Sequence, residues 1–156
     1  MENTLLPEIT LKALVEGVGH LGSASSDKKP SHTDPLGISV DVENDLVTCF
    51  VIRSAAEKVI TDLNDSGRVS YFFGLMTHEA WNFKGQFLGE VELKEEDLSK
   101  SKKFRTSMLE MMGSMGLPED AIKSMFGRVP DVWLQFKVDH IFKQTPGPEA
   151  GQELEF

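Results

Sequence analysis

Val132-Trp133-Leu134-Gln135-Phe136-Lys137-Val138-Asp139-His140-Ile141-Phe142 is the stretch on which the fold turns. Val132, Leu134, Phe136, Val138, His140 and Phe142 fall on every second position, the period of a strand with one buried face. The alternation runs without a break, so it predicts one long strand over 132–142. A second long strand is predicted at 83–93, where Phe83, Gly85, Phe87, Gly89, Val91 and Leu93 alternate with mostly polar partners. Its glycines permit the tight coiling or close backbone approach that small barrels need.

Working outward, Leu46-Val47-Thr48-Cys49-Phe50-Val51-Ile52 is apolar on both parities and reads as a strand covered on both faces. Pro35 to Val42 alternates through Leu36, Ile38, Val40 and Val42. Val69 to Phe73 and the small-residue stretch His20 to Ser25 complete six strands, with Ser26 to Pro30 as a polar turn. Helices are predicted between them. Leu5 to Val15 is amphipathic, with Pro7 in its first turn and Leu6, Ile9, Ala13 and Leu14 on its apolar side. Ser54-Ala55-Ala56-Glu57 matches a capping box, and Ala56, Val59, Ile60 and Leu63 follow at helical spacing until Gly67. Residues 95–113 and 118–126 are helical. The stripe Phe104, Met108, Met111 and Met115 reads first as a flexible core-filling face and second as an adaptable binding face. From about residue 144 the tail is irregular. Six strands at short spacing with helical inserts predict one mainly β domain over 1–156, a barrel with flanking helices and not a doubly wound sheet.

The composition narrows function. A formal net charge of −9 over 156 residues argues against nucleic acid, whose phosphates need a basic surface, and against an anionic membrane surface. A few placed cations can still hold a small phosphate compound. No apolar run approaches the roughly 20 residues that cross a bilayer. Met1-Glu2-Asn3-Thr4 lacks the charged start of a signal peptide, and the single cysteine, Cys49, rules out an internal disulfide. A cytoplasmic location is expected. Neither a phosphate-binding glycine loop nor the dinucleotide fingerprint is present. There is no HExxH, no Cys/His cluster and no GxSxG turn. The four histidines, His20, His32, His78 and His140, are scattered along the chain, so a metal site would have to assemble from distant strands. Cys49, inside a strand, reads as a small core hydrophobe and not a nucleophile.

Three stretches carry a family resemblance. Gly22 to Ser31 followed by Gly37-Ile38-Ser39-Val40 resembles the opening hairpin of the FMN-binding split barrels, the family of pyridoxamine 5'-phosphate oxidase. Phe50 to Val69 resembles that family's strand, helix and return strand, with Lys58 on the helix. Trp81-Asn82-Phe83-Lys84-Gly85-Gln86-Phe87 is similar to the strand that lies beside its cofactor, and Phe142 to Gly151 is similar to a tail of uncharacterised members. The resemblance implies a split β-barrel, a homodimer with FMN between its subunits, and a flavin-dependent oxidoreductase of unknown substrate. A high apolar content for a lone small barrel points to the same dimer. In this resemblance Lys58 pairs with the phosphate, Arg53 and Ser54 assist at the helix start, and Trp81, Asn82 and Lys84 lie beside the ring. The sequence departs from the oxidase at Ser31-His32-Thr33-Asp34, which lacks an arginine, at Ala56, which replaces a hydroxyl, and at Glu79-Ala80-Trp81 in place of a ring-contacting glutamine. Each candidate also has an ordinary structural use: capping for Ser54, packing for Trp81, solvation for Lys58, Asn82 and Lys84. The alternatives to a flavoenzyme are a non-catalytic binder of FMN or haem, and a cofactor-free barrel acting through its dimer surface.

Overall fold

The computed structural model describes Leu6 and residues 8–155, with side chains from residue 11 onward besides Leu6. The expectations for Met1–Leu5, for Pro7 and for the side chain of Ile9 lie outside the described residues. In chain order the elements are α1 (Glu8–Glu16), β1 (Val18–Ala24), β2 (Pro30–Thr33), β3 (Ile38–Asp41), β4 (Leu46–Val51), α2 (Arg53–Ser66), β5 (Arg68–Gly74), β6 (Ala80–Val91), α3 (Glu95–Ser114), α4 (Glu119–Phe126) and β7 (Val132–Lys143). All strands join one antiparallel sheet in the order β2-β1-β5-β6-β7-β4-β3. The described strands number seven, not six, and the sheet does not close. The extra strand, β2, is a proline followed by three polar residues, which hides its strand character; Pro is tolerated because β2 is an edge.

The sheet coils around one apolar core. Val47, Cys49 and Val51 of β4, Tyr71 and Phe73 of β5, Phe83 of β6 and Leu134, Phe136 and Val138 of β7 point into it. Ala13 and Leu14 of α1 and Ala56, Val59 and Leu63 of α2 seal it from the helical side. The other face of β4 and β7 is covered by the α3–α4 hairpin. Phe50 and Trp133 pack there with ring centroids 4.8 Å apart, and the indole Nε1 of Trp133 donates to the buried carboxylate of Asp97 on α3 at 3.1 Å. The double coverage predicted for β4 is observed: five of its six residues are buried.

Three local expectations are corrected. The strand predicted from Pro35 starts at Ile38. Before it the chain still bonds to β4, the Leu36 N–H donating to the Phe50 carbonyl at 2.7 Å and the Phe50 N–H to that of Gly37 at 3.0 Å, while the Leu36 side chain packs with Met108, Ile122 and Phe126 beneath α3 and α4. The capping box does not form: α2 begins at Arg53, Ser54 lies inside it, and Ile52 at the cap makes no side-chain bond. Instead the Arg53 N–H donates to Asp131 Oδ1 at 2.7 Å, so a carboxylate from the β7 side satisfies that open end. The helix closes as predicted at Gly67, whose φ of 70° lets its N–H reach the Leu63 carbonyl.

The alternation along β7 is also broken. The β6–β7 register slips between Lys84 and Gly85, opposite His140 and Val138, which makes Asp139 an extra residue. Before the bulge Leu134, Phe136 and Val138 face the core. After it Ile141 turns inward, while His140 is exposed and Phe142 half-buried. A second slip makes Leu88 of β6 an extra residue and leaves it 55% exposed. Gly85 permits the first bulge, because a Cβ there would lie 1.8 Å from the Lys137 carbonyl oxygen.

Candidate cofactor-binding surfaces

The start of α2 follows directly from the core strand β4, which fixes its position. Arg53 reaches across to β6 and makes a two-pronged contact with Glu90, at 2.9 and 2.6 Å. This hydrogen-bonded pairing holds the Glu90 carboxyl below its usual range and raises the guanidinium's value. The hydroxyl of Ser54 accepts from Nη2 of Arg128 at 3.1 Å. At this exposed helix start Arg128 therefore meets the Ser54 hydroxyl, while the neighbouring Arg53 turns its guanidinium to Glu90 and its backbone N–H to Asp131. Arg128 carries no motif in the sequence; only the fold brings it from 74 residues away.

Lys58 sits one turn on and pairs with Asp62, a carboxylate only 1% exposed. Ser31 of β2 donates to the same carboxylate at 2.5 Å. The lysine and then the serine hold the Asp62 carboxyl below its ordinary value. The arrangement fastens α2 to the edge hairpin, and it engages Lys58 with an acid inside the chain.

Asn82 and Lys84 lie on the opposite surface of β6 from the core, as their alternation requires. The register builds two rows there. His20, Phe72, Asn82 and Phe142 stand side by side across β1, β5, β6 and β7; His32, Gly22, Ser70, Lys84 and His140 form the next row, from β2 to β7. Ser70 donates to Asn82 Oδ1 at 2.9 Å. The Lys84 ammonium lies 4.9 Å from the centre of the Phe142 ring. His20 stacks on Phe72 at 6.3 Å and stands 6.5 Å from the His32 ring. In both His20 and His140 the Nδ1 atom is within 2.6 Å of a carboxylate oxygen, from Asp34 and Glu153 respectively. Three of the histidines that look scattered in the sequence thus share one sheet face. None of the described residues forms a cluster of three groups able to hold a metal ion.

Trp81 belongs to neither surface. It faces inward, is 6% exposed and stacks on Phe73 at 5.8 Å. The structure therefore brings Arg53 and Ser54 together, and separately Asn82 and Lys84. Glu90, the partner of Arg53, is six residues along β6 from Lys84, about 20 Å at the usual strand rise. Cys49 is fully buried and burial pushes its thiol well up, out of the range of a nucleophile. No described helix is long and apolar enough to cross a membrane.

No protein-family model matches the chain, and no curated protein matches it either. Solved structures do. HupZ of Group A Streptococcus aligns over 94% of this chain and 100% of its own, at 12% identity and a TM-score of 0.58. A candidate pyridoxamine 5'-phosphate oxidase from Lactobacillus delbrueckii aligns over 91% and 97%, at 10% identity and a TM-score of 0.56. The chain has the split-barrel fold. An FMN-binding protein from Syntrophomonas wolfei shares that split barrel over 85% of this chain and 78% of its own, at 11% identity and a TM-score of 0.50. Within the split barrel of this chain, the sequence-predicted candidates other than Lys58 and Trp81 fall on two surfaces, Arg53 and Ser54 at the start of α2 and Asn82 and Lys84 on the two-row sheet face.

Proposed function

We propose that this split barrel is a homodimeric, FMN-binding flavoprotein and a flavin-dependent oxidoreductase. The observation that carries the reading is the corner at the start of α2. A protein of net charge −9 sets Arg128 on the Ser54 hydroxyl at an exposed helix start, next in sequence to Arg53, whose guanidinium is held by Glu90. Guanidinium groups bind phosphate oxygens in pairs, and the open end of a helix favours negative charge. Lys58, on the next turn, adds a further cation, paired in this structure with Asp62. The outer face bearing Phe72, Phe142, Asn82 and Lys84 offers aromatic and polar groups side by side for a planar ring with polar edges. Because the two surfaces are about 20 Å apart along one strand, a two-fold dimer that sets the corner of one copy against the face of its partner completes the site.

Bound flavin supplies the hydride chemistry, so the protein needs no acid or base of its own. Its residues bind the phosphate, orient the ring and restrict water. FMN titration by fluorescence quenching tests the reading. The native chain should bind FMN saturably, and Arg53→Gln combined with Arg128→Gln should weaken binding tenfold or more, as expected for lost charge-assisted contacts of roughly 1.5–3 kcal/mol. An unchanged dissociation constant removes the phosphate from this corner.

A second reading, a haem binder, is favoured by the imidazoles. His20 and His140 each hold Nδ1 against a carboxylate, which leaves Nε2 for iron in the manner of supported metal-binding histidines. Haem addition followed in the Soret region, with His140→Ala and His20→Ala variants, separates this reading from the first. A protein that binds neither cofactor would act through its dimer surface alone.

A further inference from the structure

A cleft of about 1020 Å³ opens between α1, α3, β3 and the β5–β6 turn, away from both surfaces described above. It lies at the upper end of the roughly 300–1,000 Å³ typical of ligand pockets. Val15, Val40, Met76, Trp81, Phe104 and Met111 are among its apolar lining. Val15 and Met76, each 52% exposed, leave that wall open to water at the mouth, where unburied side chains of this size mark an interaction site. Its cations are Lys12, Lys100 and Lys103, and its acids are Glu16 and Glu79.

The polarity is ordered along α3. One stripe of this helix lines the cleft through Lys100, Lys103, Phe104, Ser107, Met108 and Met111. It runs from cationic to apolar in the direction of the chain. Lys100 is engaged by Asp97 at 3.1 Å and Glu96 at 3.7 Å. Lys103 makes no ion pair among the described residues. From Lys103 to Met111 the helix advances about 12 Å at 1.5 Å per residue, enough for an extended alkyl chain of about ten carbons. Methionine side chains adapt to such a flexible occupant.

We propose that this cleft binds a medium-chain alkyl carboxylate, its head on Lys103 and its chain laid along Phe104, Met108 and Met111 toward Trp81. The site is independent of the flavin reading, since it shares no residue with the α2 corner or the outer sheet face. Trp81 is its built-in reporter, for it lines the cleft, while Trp133 is not among the lining residues and lies under Asp97 of α3.

The test is a titration of the full chain with decanoate, below its micelle concentration, read by tryptophan fluorescence and by calorimetry. Decanoate should change the emission saturably, and the change should vanish in Trp81→Phe while the calorimetric binding persists. Lys103→Glu, on an exposed position, should weaken decanoate about tenfold or more and leave decanol unaffected. Ser107→Trp, which fills the cleft from the exposed helix surface, should abolish binding of both. The proposal fails if decanoate gives no saturable signal by either method, if Lys103→Glu binds it as well as the native chain, if Ser107→Trp leaves decanoate binding intact, or if inorganic phosphate alone competes it away.

Discussion

Gly85 shows how one residue sets a local geometry. A β-carbon there would overlap the Lys137 carbonyl, which the backbone brings close at the Asp139 bulge. Gly85→Ala should therefore destabilise the fold by about 1–3 kcal/mol, the usual cost of forcing atoms into a filled site, read as a lowered denaturation midpoint. Asp62 makes a different kind of demand. Its carboxyl is held below its ordinary value of 3.8 by Lys58 and Ser31, and Asp65 and Glu90 are likewise lowered, by Ser26 and Arg53. The folded chain then takes up these protons less readily than the unfolded one. The stability they supply is complete above the ordinary carboxylate range and is lost as pH falls through the lowered folded values. Denaturation midpoints between pH 7 and pH 3 should fall accordingly, and Asp62→Asn should flatten the acid limb. The sequence marks Gly85 as a special position by its place in an alternating strand. It gives no sign of Asp62, because a helical aspartate four residues after a lysine looks like any solvated pair.

At the scale of elements, the long strands and all four helices can be read from periodicity, since burial on one face imposes it. The bulge cannot. Val138, His140 and Phe142 keep the parity of a single face, and histidine and phenylalanine are at home on either side, so nothing in the pattern marks Asp139 as extra. Helix ends are equally opaque where the partner is distant: Ser54 and Glu57 match a capping box, yet Asp131 satisfies the end of α2. Asp131→Ala should cost about 1 kcal/mol, the typical worth of a cap, while Ser54→Ala should leave stability nearly unchanged; thermal denaturation of the two variants compares them. The α3 helix is held through Asp97, whose loss strands the buried indole N–H of Trp133. Asp97→Ala should destabilise by about 1–3 kcal/mol, as an unpaired buried donor does, and should shift the tryptophan emission.

For the whole molecule, the two-row face is legible only once strand order is known, because His20, Asn82 and His140 come from three strands and their adjacency is a matter of register. Two-fold pairing is the commonest closed assembly, and the proposed site needs a second copy. Light scattering should give twice the chain mass of 17.4 kDa, and a monomer mass at micromolar concentration would count against the dimer. The way the sheet ends bears on what kind of assembly can form. Its β2 margin is only four residues long and begins with Pro30, which offers no N–H to an incoming strand. Edge-to-edge recruitment at that margin is therefore disfavoured, which works against association there that would propagate into a filament. Copies then meet through a face or through the β3 margin at the other end of the sheet, in a contact that two molecules saturate, and a Pro30→Val exchange at the β2 rim would be the change most apt to turn a finite complex into an open-ended one.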